Sequence, residues 1–481
     1  MCSIFLSGSA LKMHDNKTLN CLKILLPAVV GLLLVSSFLC AGLSGREIRA
    51  AHQLLRLTGA PARMVWCRQV KDDADDVFGR ENYFQLMGLD TGDRLGERVI
   101  IRETGSYHKP MITPQGDRIV FTDLPAQKIY MVNWNGTGRQ ELAPGLAVEV
   151  WMDPQTGIEW VYRLPDKKAV DSLSAMHLTR FQLDNPLVQE TVLDNTSLSS
   201  DNLQLSEDGA FMSGLFPWPQ AGVIDIEKKQ VLKLGEGCWT SLAPDNSYIL
   251  WIFDGPHRNL LFHTVDNQRK WSVNISEAPG IDGHEVYHPR WSNQSRFMCM
   301  TGPYRIGITG GGGEVSIYAG RFNEKLTAVE AWVKLTGSSS ADFYPDFWIK
   351  PGGGIYNRLD PSGAGASETN AVPAENLVVT GRLVEMTPVP SLEDIAPYTR
   401  TLVVYRYKVE QVLSGTFEPS TLLVAHWGIV DSRETSLDRR IGERYRLNLK
   451  PYAACSELEG ERLVMELSDM RHPLFYDTEE E

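Results

Sequence analysis

Between residues 62 and 350 the chain repeats one short pattern: an alternating apolar stretch, a polar turn, and a second apolar stretch. Alternation with period two puts successive side chains on opposite faces of a strand, so each unit predicts two strands joined by a tight turn. The fullest copy, Lys109 to Phe121, reads K-P-M-I-T-P-Q-G-D-R-I-V-F. It is followed by K-I-Y-M-V-N-W from Lys128 and by the turn N-G-T-G from Asn135. Pro114 presets one turn dihedral and Gly116 tolerates the positive φ such a turn needs. The unit returns as D-P-Q-T-G-I-E-W-V-Y at Asp153, S-E-D-G-A-F-M-S-G at Ser206, A-P-D-N-S-Y-I-L-W at Ala243 and S-N-Q-S-R-F-M-C-M at Ser292. With Pro114, Pro154, Glu207, Pro244 and Asn293 as equivalent positions, the spacings are 40, 53, 37 and 49 residues. These bracket the roughly 40 to 50 residues of one propeller blade.

The units resemble the TolB-type, WD-like propeller repeat: an apolar strand, S-P-D-G-K, another apolar strand, then I-Y and a later glycine. Lys109 to Gly138 follows that pattern almost throughout, the copy at Asp153 carries an insertion, and those at Ser206 and Ser292 lack the proline. The resemblance covers about 290 of 481 residues. It implies an all-β propeller and says little of chemistry, because one fold hosts many functions. A sixth copy is split. F-Y-P-D-F-W-I from Phe343 matches Y-H-P-R-W-S from Tyr287, but no turn and second strand follow it. Arg63 to Arg68, Tyr83 to Leu89 and Arg98 to Arg102 supply the missing strands, closing a ring of six blades and removing its free edges. Seven blades result instead if Leu164 to Leu193 holds a second, irregular blade.

A short helical lead-in over 45–61 precedes the propeller of 62–350. Residues 351–375, rich in Gly, Ala, Ser and Pro, read as a flexible linker. From 376 to 475 five strand candidates follow: L-V-V-T-G-R-L-V-E-M, T-L-V-V-Y-R-Y-K-V-E-Q-V-L, T-L-L-V-A-H-W-G-I-V, Y-R-L-N-L and R-L-V-M-E-L. They predict a small barrel or sandwich, and its order resembles the OB-like barrel of netrin-type modules. Residues 476–481 read as an acidic, frayed tail.

The first 44 residues change the picture from fold to address. After Lys17 and Lys23, the run Ile24 to Ala41 holds eighteen residues without a charge, followed by Gly42 and Ser44. Cleaved signal peptide and single-pass anchor through residues 24–41 both fit, and either makes the protein exported, periplasmic or at the cell surface. Leu39 before Cys40 argues against a lipobox, and Met13 begins an ordinary n-region. A hydrophobic fraction of 43% with 22% charged residues is that of a globular protein. A net charge of −13 without a basic run excludes a nucleic-acid partner. Of seven cysteines, Cys67, Cys238, Cys299 and Cys455 lie beyond the export segment; they show no metal-ligand spacing and read as buried free thiols.

Candidate chemistry is sparse. His284-Glu285-Val286-Tyr287-His288 is a formal H-E-x-x-H, whose two histidines meet one zinc only on a helix. Gly280, Gly283 and Pro289 leave no room for that helix, so the stretch reads as an inner strand and no metal or cofactor is expected. Gly310 to Gly313 lacks a following Lys-Ser/Thr and reads as a loop, and no G-x-S-x-G elbow occurs. Loops over the channel carry Trp239, Asp254, His257, Arg258, His288, Arg290 and Trp291, a mixture suited to sugars or peptides. Phe253 to Asn259 is the expected exposed cluster, because Gly255 and Pro256 mark a turn. The plain alternative for each is core packing. The expectation is an envelope-associated binding or scaffold protein that recognises a protein or polysaccharide. The rival is a carbohydrate-active or other hydrolytic enzyme with paired carboxylates over the channel.

Overall fold

The structure, a computed structural model, describes residues 49–70, 83–93, 95–165, 175–199, 203–304, 315–337, 340–352, 376–435 and 438–480. The expected export segment, Gly310 to Gly313 and most of the expected 351–375 linker lie outside the described residues. Six four-stranded antiparallel sheets form a propeller. The first blade is composite: Asp342–Ile349 is its inner strand, joined by Ala62–Gln69, Phe84–Asp90 and Glu97–Gly105. The inner strands of the second to sixth blades are Tyr107–Ile112, Leu146–Met152, Gln204–Leu205, Thr240–Leu242 and Glu285–Trp291. Within the stretch from Leu164 to Leu193 the described strands all belong to the third blade, whose long hairpin Ala175–Gln182 and Asn185–Leu198 absorbs the 53-residue spacing, so the blade count is six.

Ring closure joins the two ends of the array. Arg63 pairs with Trp348 and Met64 with Phe347, and the buried carboxylate of Asp342 ties the seam. It accepts from Trp66 Nε1 at 3.0 Å and from Arg68 Nε and Nη2 at 2.7 and 3.0 Å. A helix over 49–58 lays Ala51, Leu54 and Leu57 on the seam beside Phe347 and Ile349. Between blades the core is aromatic and branched-aliphatic; Trp251, Trp291, Phe262 and Phe322 fill the space between the fifth and sixth. Outer strands such as Gln230–Glu236 are only partly covered, with Gln230, Lys233 and Glu236 exposed, as edges facing water require.

The carboxy-terminal module is a closed five-stranded barrel made of Leu377–Met386, Thr401–Ser414, Thr421–Val430, Arg444–Pro451 and Leu474–Asp477. The first four match the predicted strands. The predicted fifth is only Arg462–Val464, which pairs beside the barrel along Thr401–Val403. The ring is instead closed by Leu474–Asp477, with Tyr476 and Asp477 buried, so order extends into residues assigned above to a frayed tail. Asp477 earns its burial by pairing with Arg439 at 3.1 Å and accepting the Asn448 N–H at 3.2 Å.

The barrel docks on the propeller face where the inner strands begin. The Gly255 N–H donates to the Glu459 carbonyl at 2.8 Å, and a Cβ at Gly255 would run into the Glu461 backbone. Arg462 reaches from the barrel to Glu285 at 2.8 Å with both side chains buried. Among the described residues no helix is long and apolar enough to cross a membrane.

Candidate functional site

Three inner strands share a step in the chain just before a proline. Lys109-Pro110, His288-Pro289 and Tyr344-Pro345 each hold the pre-proline residue at positive φ, 44°, 51° and 50°. Residues before proline normally stay extended, and proline cannot donate to a ladder, so the strand bulges there. Pairing shifts register between His108 and Met111, and between Tyr287 and Arg290. A bulge re-aims the side chains that follow it. Here those include Arg290 and Asp346, which meet Glu149 from the third blade, itself placed by a register shift after Ala147.

These three charges sit in a cavity of about 390 Å³ at the channel end opposite the barrel. Arg290 Nε lies 2.9 Å from Asp346 Oδ1, and Nη2 lies 3.4 Å from Glu149 Oε2. Asp346 also accepts the Ile112 N–H at 2.7 Å, linking first and second blades. Burial pushes the Glu149 carboxyl up to about 7 against the pull of Arg290, and burial likewise raises Asp346. Gln294, 5% exposed, lines the same cavity with its amide oxygen unpartnered.

The rim is built from the first turn of successive blades, bonded blade to blade. Trp348 Nε1 donates to the Pro114 carbonyl at 2.9 Å, and Trp151 Nε1 to the Glu207 carbonyl at 3.1 Å. The Asp208 N–H donates to Asn246 at 2.9 Å, and Asn293 exchanges two bonds with Ile349 at 2.7 and 2.9 Å. Such mutual bonding fixes the rim as a rigid platform.

The seven expected site residues are spread along the channel from its open mouth to the barrel side. Arg290 stands at the open mouth. Trp291 also lines it, but is 1% exposed, packs at a tilt against Trp251 and donates Nε1 to its own turn at Ser295. Trp239 and His288 lie deeper in the channel, both buried, with the His288 ring 4.2 Å from that of Tyr344 and 5.6 Å from that of Trp239. Asp254, His257 and Arg258 are not exposed. Residues 253–258 are buried, and the docked barrel covers the turn. Asp254 caps its own turn, accepting from Arg258 and Asn259 N–H groups at 2.8 and 3.0 Å. His257 Nε2 lies 3.0 Å from Cys238 Sγ, its Nδ1 3.4 Å from Glu285, and the Tyr398 hydroxyl from the barrel seals the thiol. Burial and the nearby Arg462 depress His257, so the imidazole is neutral at pH 7. Glu285 is held below the usual carboxylate range, against the upward push of burial, by Arg462 and His257. Glu285 and His288 lie on the strand Glu285–Trp291, His284 just before it, none of them on a helix, and among the described residues no three His, Cys, Asp or Glu are set to hold a metal. The reading from sequence passed over Glu149, Asp346 and Gln294. Only Asp346 carried a signal, its place in F-Y-P-D opposite Arg290 in Y-H-P-R.

No family model matches the chain, and no curated protein matches it. Solved structures match parts of the chain at low similarity. TolB from Acinetobacter baumannii is 11% identical with a TM-score of 0.33, over 58% of this chain and 81% of that one. A putative TolB from Agrobacterium tumefaciens is 10% identical with a TM-score of 0.36, over 61% and 99%. A luciferin-regenerating enzyme is 11% identical with a TM-score of 0.32, over 45% and 76%.

Proposed function

We propose that this chain is an exported, envelope-associated binding or scaffold protein that holds a protein or polysaccharide partner at the open end of its propeller channel. The observation that carries the reading is the cavity ringed by strand ends from all six blades, on the face the barrel leaves uncovered. Concave sites where several elements converge on a few buried polar groups are where ligands bind. Export rests on the uncharged run of residues 24–41. The OB-like reading of the barrel is supported by its order, in which the first strand joins the fourth and the third runs parallel to the fifth. The test is capture from envelope extracts by the full chain, by Met152→Arg and Glu207→Arg at the rim, and by Leu413→Arg on the exposed barrel surface. Loss of a defined partner with the rim variants alone supports the proposal, and loss only with Leu413→Arg contradicts it.

Hydrolysis is the second reading, favoured by the inward pair Glu149 and Asp346. Sharing one guanidinium keeps them within the ~9.5 Å upper limit of a glycosidase pair. The space between them, however, is taken by Arg290, where such an enzyme would place water or the sugar ring. Release of nitrophenol from nitrophenyl glycosides, abolished in Glu149→Gln, is the result this second reading requires.

A further inference from the structure

Resting on the mouth as the binding end, we infer that its cavity takes a neutral, polyhydroxylated ligand, a segment of glycan chain, held by Arg290, Glu149, Asp346 and Gln294. Charge decides between ligand classes. A phosphate or carboxylate entering the cavity meets Asp346 and Glu149, and an ammonium or guanidinium meets Arg290, each like charge within a few ångströms of the buried ion cluster. A hydroxyl carries no such penalty. It donates to a carboxylate and accepts from a guanidinium with the same oxygen, which suits the alternation of acceptor, donor and acceptor along Glu149, Arg290 and Asp346.

A second, independent observation is the amide of Gln294. Gln294 lines the cavity and its amide oxygen is buried without a donor, although polar atoms so enclosed are nearly always paired. A ligand O–H completes it. Trp151 and Trp348, anchored through their indole N–H groups to neighbouring turns, add fixed apolar walls for the C–H faces of a sugar ring. The volume of about 390 Å³ lies within the roughly 300 to 1,000 Å³ of small-ligand sites.

The experiment is calorimetric titration of the full chain with maltotetraose, cellotetraose and chitotetraose, with tetragalacturonate and tetralysine as charged probes. At least one neutral tetrasaccharide binds with Kd below about 1 mM, and both charged probes bind about tenfold more weakly or not at all. Gln294→Met keeps the side-chain volume, removes the acceptor and weakens that binding about tenfold or more; Glu149→Gln, isosteric, is the second variant should the first lower Tm. Silence from all three neutral sugars overturns the inference, as do tighter binding of a charged probe and unchanged affinity in the folded variants. If the rim variants lose a captured protein while no sugar binds, the glycan inference falls and the docking surface stands. If neither sugar nor partner depends on the rim, both fall.

Discussion

At Glu149 the fold spends stability to keep a carboxyl inside the channel. Its folded-state value of about 7 lies above that of the unfolded chain, so the native state holds more protons between roughly pH 4.5 and 7. Stability from this group is therefore fully present below the unfolded value and is lost as pH rises through the folded one. Compared with Glu149→Gln, the wild type should lose on the order of 2 to 3 kcal/mol of unfolding free energy across that window, measured by urea titration at each pH. A flat difference between the two proteins would contradict the assignment. Gly116 poses a steric question instead. It has φ of +82°, and an added Cβ would overlap the indole of Trp348 across the junction of the first and second blades. Gly116→Ala should cost about 1 to 3 kcal/mol, read as a lower denaturation midpoint with an unchanged m-value.

At the scale of strands and turns, local sequence said a good deal. The turn units at Pro114, Pro154, Glu207, Pro244 and Asn293 each sit between the first two strands of a blade. The likeness of F-Y-P-D-F-W to Y-H-P-R-W-S marked two inner strands with the same pre-proline step. Period and turn chemistry are local properties, so they were legible. Leu474–Asp477 was not, because a four-residue strand beside acidic residues has too little period to register, and only its pairing with Thr421–Val430 and Arg444–Pro451 makes it a strand. The turn at Asp254 misled for the converse reason. Gly and Pro report a bend truly, but whether a bend meets water depends on the barrel, more than a hundred residues away. Glu149 and Gln294 had no local signature at all, since only the ring brings blades three and six together. Closure itself is testable at Asp342. Asp342→Ala takes the acceptor from the Trp66 N–H and leaves Arg68 with Glu97 alone, and should cost about 1 to 3 kcal/mol, whereas Asp342→Asn should cost less by keeping one oxygen in place. Equal, small losses for both would mean the seam does not depend on that carboxylate.

For the whole molecule, the question is how two β modules share the work. Docking rests on the buried pair Glu285–Arg462, with Cys238, His257 and Tyr398 packed around it. Removing one ion strands the other in a low-dielectric interface, so Arg462→Leu should lose about 3 to 5 kcal/mol; the double variant Arg462→Leu, Glu285→Leu should recover most of it. Recovery would show that the pair specifies the docking geometry more than it stabilises it. The barrel sits over blades four to six at the strand starts and leaves the other end of the channel uncovered, the end proposed above for the partner. Amide hydrogen exchange of the full chain, alone and with its captured envelope component, tests this most directly. Exchange should slow at turns 113–117, 206–209 and 292–296 and stay unchanged over 391–400 in the barrel. Protection confined to the barrel would contradict the account.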